Sequence, residues 1–180
     1  MNNEASLPDK NSMDNLEEQI AFGVDRLAER MQRKGWLLAC AESCTGGLLA
    51  KSCTDVAGSS RWFECAYVTY SNEAKSAMLG VSPELIEEFG AVSEPVAAAM
   101  LSGVLGKSGV DLAASITGIA GPAGGTAEKP VGTVCFGFGV KGGEIESSRE
   151  LFSGDRQQVR QQSVLYVLDK LLKIIDSDAR

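Results

Sequence analysis

Residues Trp36 to Ala41 read as a short apolar strand, Glu42, Ser43, Cys44, Thr45, Gly46 and Gly47 follow as a turn, and Leu48, Leu49 and Ala50 open a helix. A strand that feeds a glycine-rich turn and a helix narrows the fold at once, because such a unit has to bury its faces in a layered sheet-and-helix architecture. The turn also has the makings of an anion site. Free backbone N–H groups and the positive end of a helix dipole point into it. Ser43 and Cys44 are both candidate nucleophiles there, and a hydroxyl needs a base to be useful. The chain has no histidine among its 180 residues. Ser-His-Asp and Cys-His arrangements are therefore excluded. A base must come from Lys, Tyr, Asp or Glu, or a metal must replace it.

The rest of the chain supplies the layers. Residues 1–13 are polar and are expected to form a disordered tail, with residues 14–180 as a single domain. A helix is expected over 14–34, with capping-box spacing at Asp14 and Glu17 and an apolar stripe of Leu16, Ile20, Val24, Leu27 and Met31. Gly35 suits its C-cap. The strand over 36–41 and a helix over roughly 46–56 come next. A strand is expected over 66–70, a helix capped by Ser71 through Leu79, another from Pro83 to Phe89, and an Ala-rich third over 94–106. Residues 111–116 form a buried strand, 117–130 an irregular glycine loop, and 131–140 with 144–152 a hairpin turning at Lys141, Gly142 and Gly143. A last helix covers 155–175. Helices alternating with strands, with one late hairpin, give a three-layer α/β/α sandwich around a mixed five-stranded sheet. Ligands in such sheets bind at the carboxyl ends of strands. The loops after Ala41, Tyr70 and Ile116 should converge there.

Charge and cysteines remove several function classes. The net charge is -7 and no basic stripe occurs, so nucleic acid is not expected as a partner. Five cysteines, Cys40, Cys44, Cys53, Cys65 and Cys135, form no C-x-x-C pair. Without histidine, they make no zinc site and fit small buried hydrophobes in a reducing compartment. No run reaches transmembrane length and no signal-peptide core opens the chain, so a cytoplasmic address and no membrane partner are expected. No cofactor and no metal are expected.

Four segments carry candidate chemistry. Ser43 has the geometry of a nucleophile or anion ligand, and equally that of a capping serine, a role Thr45 can share. Cys44 is the rival nucleophile, though without a base to make a thiolate a buried structural role suits it better. In Val68-Thr69-Tyr70-Ser71-Asn72-Glu73-Ala74-Lys75, Tyr70 ends a strand and Lys75 lies one helical turn on. A lysine kept neutral by desolvation can act as a general base, and a tyrosine can relay its proton or hold it; a solvated surface lysine is the commoner fate. The loop from Thr117 and Gly118 through Gly125 can present N–H groups to a phosphate, or can be a turn with packing glycines. It lacks the G-K-[ST] ending of a P-loop. Arg156, at the start of the last helix, can clamp a phosphate or carboxylate, or pair with Asp155.

Taken together, AESCTGG (41–47), VTYSNEAK (68–75), GAVSEP (90–95), SITGIAGPAGG (115–125), EKPVGTV (128–134) and FSGDR (152–156) resemble the CinA C-terminal domain family over about residues 14 to 176. The family's characterised enzymes are nicotinamide-nucleotide amidases. The resemblance implies hydrolysis of the carboxamide of nicotinamide mononucleotide (NMN), giving nicotinate mononucleotide and ammonia, in pyridine nucleotide salvage. It implies Ser43 as nucleophile, Lys75 as base and Tyr70 as support for proton transfer. Substrate binding would fall to Thr45, Gly46, Gly47, Thr117, Gly118 and Arg156. A homo-oligomer, a dimer or higher, is expected. The alternatives are a nucleotide-binding module without turnover, and a partner protein in competence or DNA damage.

Overall fold

A computed structural model describes residues 16–178. Six helices and five strands follow in the order α1 (Leu16–Lys34), β1 (Leu38–Glu42), α2 (Leu48–Thr54), β2 (Phe63–Val68), α3 (Asn72–Leu79), α4 (Pro83–Phe89), α5 (Glu94–Ser108), β3 (Leu112–Gly118), β4 (Thr133–Val140), β5 (Ile145–Leu151) and α6 (Arg156–Ser177). The sheet order is β2-β1-β3-β4-β5. The first three strands are parallel, and β4 and β5 run antiparallel to their neighbours. This is the expected α/β/α sandwich with a mixed sheet.

The period-2 alternation of the strands sorts side chains between two cores. Leu38 and Cys40 of β1 and Leu112, Ala114 and Ile116 of β3 face α1 and α6, where Val24, Leu27, Met31, Val164, Leu168 and Leu171 are buried. Ala39 and Ala41 of β1 and Ala113 of β3 face α5, with Val96, Met100, Leu101 and Val104. Small residues on that face let α5 come close. A Cβ on Gly137 would lie 2.6 Å from Ser115 Oγ and 2.9 Å from the Ala97 carbonyl. Each fully buried aliphatic side chain in these cores contributes roughly 1.5–3 kcal/mol. Four of the five cysteines are buried and Cys65 is half-buried, all as free thiols.

Element boundaries differ from the sequence expectation where a turn claims the backbone first. The Trp36 N–H donates to the Met31 carbonyl and the Leu37 N–H to Asp111 Oδ2. Strand pairing therefore begins at Leu38, and it runs on to Glu42, which pairs with both Val68 and Ile116. Strand β2 covers 63–68 instead of 66–70, because Phe63 and Cys65 already pair with β1. That leaves Thr69 and Tyr70 beyond the strand end. Helix α2 is shorter than 46–56: Gly46 and Gly47 take the left-handed conformation (φ 60° and 92°). Strand β3 reaches Gly118 because β4 pairs with it to that point. Helices α3 and α4 match their expected bounds, each capped by a serine, Ser71 and Ser82. Asp14 lies outside the described residues. No helix among the described residues is long and apolar enough to cross a membrane.

Candidate active site

The carboxyl ends of β1, β2 and β3 are tied to one another. The Thr69 N–H donates to the Glu42 carbonyl at 2.8 Å, and the Ser43 N–H to the Ile116 carbonyl at 2.9 Å. Ser43 therefore leaves the sheet at a fixed place between its neighbours. Lys75 approaches from α3, one turn after the Ser71 cap, which accepts the Ala74 N–H. Its Nζ lies 3.0 Å from Ser43 Oγ and 3.0 Å from the Thr69 carbonyl oxygen, and donates to both. Lys75 is 1% exposed and Ser43 8%. Burial pushes the Lys75 pKa below its ordinary value, against a smaller upward pull from Cys44 and Glu73. A neutral amine at this distance can accept the serine proton.

Cys44 is buried beside this pair. Burial pushes its thiol up to about 12, and the charge of Glu42 adds to the rise. A thiol held neutral is a poor nucleophile, which favours Ser43. Gly118 makes room for the cysteine: a Cβ there would sit 3.0 Å from Cys44 Sγ and 2.8 Å from Val134.

Ser43, Cys44, Tyr70, Gly118 to Gly121, Ala123, Gly124 and Arg156 line a cavity of about 230 Å³. The three expected loops do converge. Arg156 crosses the mouth, donating Nη1 to the Gly121 carbonyl and Nη2 to the Tyr70 hydroxyl, both at 2.7 Å. Tyr70 is 58% exposed. Among the described residues its hydroxyl bonds to Arg156, while Lys75 bonds to Ser43 and Thr69. Direct support of Lys75 by Tyr70 is therefore not the arrangement found.

The glycine turn also differs from expectation. Glu42, fully buried, reaches over the turn to the N-terminus of α2. Its Oε2 accepts the N–H groups of Gly47 (3.0 Å) and Leu49 (3.2 Å), and its Oε1 accepts that of Ala50 (2.9 Å). The anion site expected for a ligand is filled by the protein's own carboxylate, so Gly47 has no amide to offer. The Gly46 N–H donates to the Ser43 carbonyl. Thr45 is fully buried, and its carbonyl accepts Arg160 Nε (3.1 Å) and Nη2 (2.6 Å). Thr117 is buried with its hydroxyl donating to the Ala91 carbonyl at 2.8 Å. Thr45, Gly46, Gly47 and Thr117 thus lie outside the cavity lining, whereas Gly118 and Arg156 are part of it. No group of three His, Cys, Asp or Glu side chains suited to a metal occurs among the described residues.

Two residues of this arrangement escaped the sequence reading. Glu42 carried one signal, an acid at the end of a buried strand just before a helix start. Arg160 carried another, its i+4 spacing from Arg156, which puts both guanidinium groups on one side of α6.

The model of the CinA C-terminal domain matches residues 22–175. A nicotinamide-nucleotide amidohydrolase PncC from Enterobacter agglomerans is 54% identical over 143 residues, covering 79% of this chain and 87% of the relative. The protein of that name from Escherichia coli K12 is 52% identical over 147 residues, covering 82% and 89%. Among solved structures, the competence/damage inducible protein CihA from Agrobacterium tumefaciens superposes with a TM-score of 0.84 at 38% identity, covering 88% of this chain and 96% of that one.

Proposed function

The chain belongs to the CinA C-terminal domain family, and from that premise we propose that it is an amidohydrolase converting NMN to nicotinate mononucleotide and ammonia, with Ser43 as nucleophile and Lys75 as base. The observation that carries this reading is the buried 3.0 Å contact between Lys75 Nζ and Ser43 Oγ. The names of the PncC relatives supply the substrate.

Neutral Lys75 takes the Ser43 proton as Oγ attacks the carboxamide carbon. The carbonyl oxygen becomes an oxyanion. Of the amides in the turn, those of Ser43, Gly46 and Gly47 have internal acceptors. Cys44 lines the cavity beside Ser43, and its amide is the donor this reading assigns to the oxyanion. The intermediate collapses, the C–N bond breaks, and the Lys75 ammonium gives its proton to the departing nitrogen, which leaves as ammonia. Water then attacks the acyl ester while Lys75 takes its proton, and that proton returns to Ser43 as the carboxylic acid departs. Arg156 and the 118–124 loop face the remainder of the nucleotide. Two of the five guanidinium N–H groups are occupied by Tyr70 and Gly121, leaving others for an anionic group. On this reading the reaction belongs to salvage of pyridine nucleotides.

Ammonia release from NMN by the purified protein tests the reading. Ser43→Ala should lower turnover ~10⁴-fold or more, and Cys44→Ala should retain most of it. The reverse pattern would make Cys44 the nucleophile.

A further inference from the structure

Resting on Ser43 as the nucleophile, we propose that Glu42 and Arg160 are positioning residues that grip the nucleophile turn from its two sides and set Ser43 Oγ against Lys75. Neither residue lines the cavity, so neither is placed to touch a substrate. Both act on the five-residue turn that carries Ser43.

From inside, the Glu42 carboxylate accepts the amides of Gly47, Leu49 and Ala50, and Cys40 Sγ donates to Oε1 at 3.7 Å. A carboxylate with no access to water is retained only where donors satisfy it. Here they are the first amides of α2, whose N-cap Gly47 provides no side chain. The backbone of Glu42 is held as well, through the Thr69 N–H and the strand pairing to Ile116. One residue thus joins the end of β1 rigidly to the start of α2, with Ser43 on the chain between them. From outside, Arg160 of α6 directs two N–H groups at the Thr45 carbonyl. A planar guanidinium making two bonds to one oxygen fixes direction as well as distance. The amides of the turn are held by an anion and its carbonyl by a cation.

The same geometry decides what the turn does not do. With Glu42 occupying the α2 N-terminus, an anionic group of a substrate has no place there and is directed to the Arg156 side of the cavity. The Glu42 charge also helps keep the Cys44 thiol protonated next to Ser43.

A merely structural role would lower stability and the amount of folded protein, and leave the constants of the folded fraction alone. A positioning role moves kcat without KM. The test measures kcat and KM for NMN with wild type, Ser43→Ala, Glu42→Gln, Arg160→Gln and Arg160→Lys in parallel, with melting curves for each. Glu42→Gln keeps the shape but turns an amide NH2 toward backbone donors. In the folded variants kcat should fall about 10²-fold for Glu42→Gln and Arg160→Gln, the loss typical of a small misplacement of reacting groups. KM should stay within about threefold. Arg160→Lys, which keeps one donor and the charge, should recover part of the loss. Wild-type kcat in folded Glu42→Gln or in Arg160→Gln overturns the proposal, as does a change confined to KM. If Glu42→Gln does not fold, Arg160→Gln carries the test from outside the core; failure of both to fold would assign the pair to folding and overturn it too. Wild-type turnover by Ser43→Ala would instead remove the nucleophile on which the proposal rests.

Discussion

Residues 42–47 and residues 118–125 face each other across the cavity, and they are held in different ways. The first segment is rooted in the interior. Glu42 and Thr45 are fully buried, Ser43 and Cys44 nearly so, and the segment is bonded to β2, β3, α2, α3 and α6. The second leaves β3 through Ile119, whose backbone pairs with Thr133 and Gly132. From Pro122 to Glu128 it is exposed. Its tie across the cavity is the bond from Arg156 to the Gly121 carbonyl. The reacting atoms thus sit on the wall whose geometry is determined by many partners, and the opposite wall can differ in shape without disturbing them. Changes to the first wall should act on kcat, and changes to the second on KM.

The largest effect is expected from Lys75→Met, which fills the same space without a base. Turnover should fall ~10⁴-fold. Stability should hold or rise, because burial opposes the charge of Lys75. The sign follows from linkage: the folded pKa lies below the unfolded one, so the unfolded chain binds the extra proton between the two values. Wild-type stability should therefore increase as pH rises from the folded pKa toward the ordinary lysine value of about 10.4. In Lys75→Met that rise should be absent from the melting curves. A marked loss of stability would mean that Lys75 holds the first wall together and does not merely occupy it.

A smaller effect is expected on the second wall. Arg156→Ala should raise KM for NMN roughly 10-fold or more with kcat changed little. The effect on nicotinamide riboside, which has no phosphate, should be weaker. Equal effects on the two substrates would mean that Arg156 acts through Tyr70 and Gly121 alone. A fall in kcat with KM unchanged would erase the distinction between the walls.

The fold was legible because its signals are local. The stripe of α1, the Ser71 cap of α3 and the proline that opens α4 can all be read from a few neighbouring residues. Strand ends were less legible: where pairing stops depends on partners distant in sequence, as the shift of β2 to 63–68 shows. In the site, the lack of histidine left Lys, Tyr, Asp, Glu or a metal to serve as base, and the choice of Ser43 with Lys75 came from the resemblance to the CinA C-terminal domain family. The fate of the turn's amides was legible in neither. A glycine turn before a helix looks like a ligand site until the conformation of Glu42 is known, and a side chain folding back over its own turn leaves no periodic trace. Thr117 misled for a similar reason, since its hydroxyl points to Ala91 across 26 residues of chain.

The central claim is that a neutral Lys75 takes the proton of Ser43, and the pH dependence of kcat/KM for NMN tests it most directly. The profile should rise with pH along a single limb whose midpoint lies below the ordinary lysine value of about 10.4, in keeping with the burial that lowers the Lys75 pKa. Lys75→Arg, which keeps a charge but cannot release its proton, should have almost no activity at any pH along that limb. A limb in the carboxylate range near ~4, or a Lys75→Arg protein that turns over NMN like wild type, would contradict the account.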